Sequence, residues 1–174
     1  MFNATRLVLE GIIEDKSSYS QRGDAAEAYT YFTSFEFVFI LHLMKEIMGR
    51  TNILSQQLQK STQDIGNTIE LVSATKEKLN DFRNNNWESF FEQVRDFSLK
   101  HNIEMPDFSA LYKSGRYRPR QKDNHVTIEH FYRVDIFICS LDKQLHELAC
   151  RFDNKATELL TLSAALVPKK AFDV

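Results

Sequence analysis

Residues 35–48 read FEFVFILHLMKEIM. Together with Ala25, Ala28, Tyr29 and Phe32 before it, the apolar members Phe35, Phe39, Ile40, Leu43, Met44, Ile47 and Met48 recur close to the 3.6-residue period of an α-helix. The apolar face is wide and aromatic, which predicts a helix at the centre of a core. Glu36, His42, Lys45 and Glu46 interrupt the run, so it is too short and too charged to cross a bilayer. Asp24 stands where it would cap this helix, and Gly49 where the helix would end or kink.

Working outward, residues 2–15 predict a first helix with Phe2, Leu7, Leu9, Ile12 and Ile13 on one face. Arg6, Glu10 and Glu14 break its apolar stretch and rule out a secretory signal. Ser17, Ser18, Ser20 and Gly23 form a polar break after it. Downstream, Leu54, Leu58, Ile65, Ile69, Val72, Leu79 and Phe82 make a narrow stripe from Thr51 to Arg83, interrupted by Ser61, Thr68 and Thr75. The run Ser61-Thr62-Gln63-Asp64 reads as a capping box that splits this stretch in two. Asn84-Asn85-Asn86 reads as a turn. Asn86 then caps a short helix marked by Trp87, Phe90, Phe91, Val94 and Phe97, whose aromatics suit core packing better than a binding box.

Residues 102–125 are irregular, punctuated by Pro106 and Gly115. A last long helix is expected from a cap near Asp123 or Asn124. Phe131, Val134, Ile138, Leu141, Leu145, Leu148 and Phe152 alternate steps of three and four along it, a heptad stripe. Ala156, Leu159 and Leu166 continue it loosely, and Pro168 ends it. The pattern as a whole predicts an all-α fold, a bundle of long antiparallel helices in one helical domain over 1–174 with an irregular basic loop at 102–125. The composition agrees: 174 residues, 43% hydrophobic and 26% charged, with only 5 Gly and 3 Pro. No repeat and no Gly-, Ser- or Pro-rich linker divides the chain.

Chemistry-bearing patterns are few. Residues 113–122, KSGRYRPRQK, hold Lys113, Arg116, Arg118, Arg120 and Lys122 with no acid among them and Tyr117 interleaved. Cations on a loop can neutralise phosphates and a tyrosine can stack on a base, so these six residues are the candidate nucleic-acid contacts. They also suit a nuclear-import patch, and charge runs in loops are common as plain solvated surface. The net charge of −2 gives the whole chain no bulk attraction to polyanions.

Two Cys residues cannot build a four-thiolate zinc site or a disulfide scaffold. His125, His130, Asp135, His146 and Cys150 invite a metal reading, because His146 and Cys150 lie four apart on one helix face. The competing reading is a core-edge histidine beside a buried, inert thiol. His130 and Asp135, five apart, do not share an α-helical face. The predicted metal set is therefore none, and no cofactor is expected. Glu14, Asp15, Asp142, Glu147 and Glu158 show no spacing that marks a catalytic pair. There is no Gly-flanked Ser elbow, no Gly-rich phosphate loop and no sign of a small-molecule substrate. The heptad stripe over 131–152 suits packing within the chain or against a partner helix.

Several words resemble the central part of hAT-superfamily transposases, in the group of TTF-type or zinc-finger MYM-type-like proteins. They include Phe35, Phe37, Phe39, Ile40, Leu41, Met44 and Ile47, then Thr51, Asn52, Leu54, Ser55, Leu58 and Gln59. Asp64, Ile65, Leu71, Val72, Leu79 and Arg83 follow, with His101, Asn102, Ile103 and Pro106 and the basic-loop residues Arg116 and Arg118. Tyr132, Arg133, Asp142, Gln144, Leu145, Glu147, Leu148, Arg151 and Phe152 complete the set.

The resemblance implies a helical insertion within an RNase H-like core, there flanked by a zinc finger and a dimerisation segment. In that family two Asp and one Glu hold two divalent metals for strand transfer. No residue here matches those positions, so no catalytic residue is carried over and no enzyme activity is expected. The resemblance implies a non-catalytic fragment, nuclear or cytoplasmic, whose ancestral role lay in DNA transposition through DNA and protomer contacts. The alternative is an interaction or scaffold module that associates through the 131–152 stripe. Either way, the N-terminal helix and the end from Ala164 to Val174 would be raw edges, with marginal solubility or dependence on a partner.

Overall fold

The computed structural model describes residues 2–15, 19–59, 65–112 and 126–153, with Glu158 and Leu162 beyond. The fold is all-α. Helices α1 (Phe2–Glu14), α2 (Tyr19–Phe32), α3 (Phe35–Leu58), α4 (Ile65–Asn85) and α5 (Trp87–Lys100) precede a final helical stretch. That stretch is α6 (Ile128–His130), a π-helical segment (Phe131–Ile138) and α7 (Cys139–Arg151) in unbroken succession. Among the described residues the only extended pairing is one antiparallel bridge, Leu111 with Thr127. No helix among them is long and apolar enough to cross a membrane.

The chain divides into two compact units, Met1–Met44 with Glu88–Phe108, and Lys45–Trp87 with Ser109–Val174. In the first, α1 packs on α2. The Phe2 ring stacks on Phe32 at 4.4 Å and meets Phe97 edge-on at 5.2 Å. Phe35, Val38, Phe39 and Leu43 of α3 are buried, as are Phe90 and Val94 of α5. Phe39 and Phe90 meet edge to face at 5.3 Å, a favoured ring geometry. Phe35, Phe39 and Leu43 of the stretch 35–48 thus enter a core as the periodicity predicts, but Ile40, Met44 and Met48 of the expected face are exposed, and the buried Val38 was not among its members. On α1 the expected apolar face is only half used. Ile13 is half-buried, but Leu7 is 66% exposed and Val8 and Ile12 are also exposed.

Two helix boundaries differ from the sequence reading. Helix α2 begins at Tyr19, so Ser20, Gly23 and Asp24 lie inside it and Asp24 is not a cap. Its first turn is anchored by Arg22, whose Nε donates to the Ile13 carbonyl at 2.9 Å and so satisfies an orphan acceptor at the end of α1. The helix drawn from Ala25 to Met48 is in fact two. Thr33 and Ser34 turn their hydroxyls back onto the carbonyls of Tyr29 and Tyr31, competing with the helical ladder. Ser34 Oγ then accepts the Phe37 N–H at 3.2 Å, the N-cap bond that starts α3. Gly49 does not end α3, which runs on to Leu58.

The first unit also shows why His101, Asn102 and Ile103 stand where they do. Helix α5 ends with Asn102 in the left-handed region at φ 54°. The Ile103 N–H donates to Ser98 O at 2.8 Å and the Asn102 N–H to Leu99 O at 3.2 Å. This is a Schellman cap, with Asn in the place glycine usually takes and a buried Ile after it.

In the second unit, Leu54, Val72, Leu79, Phe82, Trp87, Tyr132, Phe137 and Leu141 are buried. Helix α3 ends at Leu58 and α4 begins at Ile65; Ser61–Asp64, read as a capping box, lie outside the described residues. Thr68 and Thr75 do not interrupt the α4 stripe; both are buried within it. Thr75 Oγ1 bonds the Leu71 carbonyl at 2.7 Å, which removes the cost of burying its hydroxyl. Asn86 sits at the joint of α4 and α5, its backbone N–H donating to the Phe82 carbonyl at 3.3 Å, while Asn84 and Asn85, expected in a turn, belong to the last turn of α4.

The π-helical segment was not foreseen. Hydrogen bonds from i to i+5 bring residues five apart onto one side, whereas an α-helix would separate them by roughly 140°. Tyr132 and Phe137, five apart, are both buried. Phe137 takes the rings of Phe82 and Trp87 edge to face at 5.1 and 5.2 Å. Widening the helix lets both rings enter the core; neither belongs to the heptad stripe, of which Leu141 is buried and the other members are half-buried.

Candidate functional site

The basic residues Lys113, Arg116, Tyr117, Arg118, Arg120 and Lys122 lie outside the described residues, as do Asp123, Asn124 and His125. What precedes and follows them is built as a stem. The Tyr112 N–H donates to Val126 O at 2.8 Å and the Ile128 N–H to Ala110 O at 2.9 Å. Both bonds flank the Leu111–Thr127 bridge. The Tyr112 ring lies flat on Phe131, centroids 3.8 Å apart and planes 12° from parallel. Thr127 caps the final helical stretch, its side chain accepting the His130 N–H at 3.2 Å. The cap is therefore Thr127 rather than Asp123 or Asn124.

This arrangement joins the two ends of the basic segment. Lys113 follows one side of the stem directly, and His125 precedes the other. The five cations of 113–122 gain importance from what surrounds them, because the other 164 residues carry 17 basic and 24 acidic side chains. A single basic loop on an otherwise acidic chain concentrates positive potential in one place. The sequence reading found the loop and missed its stem. The available signal was the pair of β-prone dipeptides, Leu111-Tyr112 and Val126-Thr127, flanking a turn-rich run.

The metal candidates separate. His146 and Cys150 are side by side on α7, with Sγ 3.4 Å from Nε2. Cys150 is exposed, which overturns the reading of it as a buried thiol. His130 and Asp135 were set apart by α-helical geometry, an argument the π segment removes. Even so, among the described residues no group of three or more His, Cys, Asp or Glu gathers.

The carboxylates are engaged structurally. Asp142 pairs with Arg83 and Glu147 with Arg151. The hydrogen bond from the Arg83 guanidinium holds the Asp142 carboxyl below its ordinary value and raises Arg83. In the first unit, Arg6 and Tyr29 both donate to Glu10, at 3.0 and 2.9 Å, and hold its carboxyl low. Trp87 and Phe90 are core, as expected.

Comparison with known proteins finds a weak likeness along nearly the whole chain. The chain is 23% identical over 186 aligned residues to a mouse (Mus musculus) protein named 52 kDa repressor of the inhibitor of the protein kinase. The alignment takes in 99% of this chain and 24% of that protein, so the chain spans about a quarter of its curated relative. No family model matches the chain, and no solved structure matches it.

Proposed function

We propose that this chain is a non-catalytic helical region of a hAT-type transposase-derived protein, and that it contacts nucleic acid through Lys113, Arg116, Tyr117, Arg118, Arg120 and Lys122. The observation that carries the reading is the stem. Two backbone hydrogen bonds and the Tyr112–Phe131 stack join the ends of a segment with five cations and no acid between Lys113 and Lys122. Closing a loop lowers the entropy lost when its side chains engage a ligand. The all-α fold is what a helical insertion requires. The likeness along nearly the whole chain to a much longer mouse protein fits a region of a larger whole, and that protein's name as a repressor is compatible with a nuclear place of action.

The test is binding of labelled duplex and single-stranded DNA, followed by fluorescence anisotropy across a salt series. Each phosphate contact on duplex DNA contributes about 0.9 to the slope of log affinity against log salt. Replacing Arg116, Arg118, Arg120 and Lys122 with Ala should therefore weaken binding and flatten the slope by up to roughly 3.6. Binding that is indifferent to salt, or unchanged in the fourfold variant, removes the nucleic-acid role.

The alternative, association through the 131–152 stripe, draws less support. Leu141, at its centre, is fully buried within the second unit, while Leu145, Leu148 and Phe152 are half-buried.

A further inference from the structure

His146 and Cys150 occupy successive turns of α7, so their side chains project from one face. Both are exposed, and Cys150 is free of any disulfide. The Sγ atom stands 3.4 Å from His146 Nε2 and 3.9 Å from Nδ1. That separation has a chemical meaning. A tetrahedral zinc ion with a Zn–S bond of about 2.3 Å and a Zn–N bond of about 2.05 Å places its sulfur and nitrogen ligands roughly 3.5 Å apart. The pair, which shares a hydrogen bond in the absence of metal, thus stands at the spacing that two ligands of one ion would take.

Two ligands do not make a closed site, since structural zinc takes four. The described residues of one chain offer no third, because no group of three or more metal-ligating side chains forms among them. A second copy of the chain presents the same pair on the same exposed face, and two-fold symmetry brings like patches together. We propose that His146 and Cys150 form half of a metal site that is completed by His146 and Cys150 of a second copy, giving a Cys2His2 set that bridges two chains.

Thiolate and imidazole select a borderline-soft divalent ion of the zinc class over magnesium or calcium, which prefer oxygen. The charge balances: each thiol releases its proton to solvent as its bond to the metal forms, and two thiolates neutralise one divalent ion. Neighbouring Glu147 is paired with Arg151 at 3.5 Å.

The experiment titrates the reduced full chain with zinc and follows its mass by light scattering, with cobalt(II) as the spectroscopic probe. The expected result is a doubling of mass at half an equivalent of zinc. Cobalt should give tetrahedral absorption bands with a thiolate charge-transfer band. Cys150→Ser and His146→Ala should each weaken metal binding at least about tenfold and abolish the doubling, with far-UV circular dichroism unchanged, as expected for loss of a metal ligand. Cys139→Ser, at the other exposed thiol, should behave as the parent. The proposal is overturned if zinc leaves the mass unchanged, if one zinc binds each monomer, or if the doubling survives in the two ligand variants.

Discussion

Arg83 and Asp142, 59 residues apart, form a two-pronged ion pair that ties α4 to α7. Nε donates to Oδ1 at 2.5 Å and the second guanidinium nitrogen to Oδ2 at 3.0 Å. The side chains are partly exposed, so water screens the attraction, and their coupling should be modest, about 0.5 kcal/mol in a double-mutant cycle. The pH dependence follows from the lowered Asp142 carboxyl. Its contribution is complete above the ordinary aspartate value of 3.8 and is lost as the pH falls through the lower folded-state value. Asp142→Asn should therefore shift the urea midpoint downward at about pH 7, and the difference from the parent should shrink as the pH falls through the lowered Asp142 value. A gap that persists in acid would mean the pair acts through packing alone.

Leu141 separates core from seam. It is 0% exposed, one helical turn before half-buried Leu145. Leu141→Ala should cost about 2–5 kcal/mol, the range for emptying a packed core position. Leu145→Ala should cost less because part of that side chain already meets water. Denaturant melts of the two variants, with light scattering alongside, decide the matter. If Leu141→Ala leaves stability intact but changes the mass, the stripe is an intermolecular seam and the packing assigned to it is wrong.

The helical class was legible because Phe32, Phe35, Phe39 and Leu43 recur at a mixture of three- and four-residue steps, which the two-residue alternation of a strand does not produce. The joint at Asn86 was legible from its run of asparagines, although the turn read there is shorter than expected because Asn84 and Asn85 stay in α4. What escaped notice came from side-chain hydrogen bonds and from geometry that α-helical spacing does not describe. Ser34 breaks one predicted helix into two because its hydroxyl caps better than it continues, which an apolar count cannot register. Tyr132 and Phe137 are five apart, a spacing that looks like two faces until the backbone widens into a π-helix. At the candidate site the charge of Lys113–Lys122 stood out in the sequence. The Leu111–Thr127 bridge did not, since one residue pair is too short for a strand pattern.

Ser34 makes the boundary between α2 and α3 testable. Its Oγ accepts the Phe37 N–H at 3.2 Å, one of the donors that a helix start leaves without a partner. Ser34→Ala should cost about 1 kcal/mol, and Ser34→Asp should retain most of the stability because a carboxylate caps as well and favours the helix N-terminus. Chemical denaturation of the three proteins gives the comparison. Equal stabilities would mean that the break rests on Thr33 rather than on the cap.

Tyr112 distinguishes a loop that binds because it is charged from one that binds because it is also held closed. Its ring lies 3.8 Å from Phe131, while its N–H bonds Val126 through the backbone alone. Tyr112→Ala removes the stack, worth about 0.5–1.5 kcal/mol, and leaves every cation of 113–122 in place. If the stem preorganises the loop, DNA affinity should fall by a factor of up to about ten, since about 1.4 kcal/mol corresponds to tenfold. The salt slope should stay at the parent value, because the number of phosphates neutralised is unchanged. Tyr112→Phe keeps the ring and should bind as the parent does. Anisotropy titrations of both variants at several salt concentrations read affinity and slope together. Parent affinity in Tyr112→Ala would show that the charges act without the stem, and a flattened slope would show that Tyr112 positions the cations themselves.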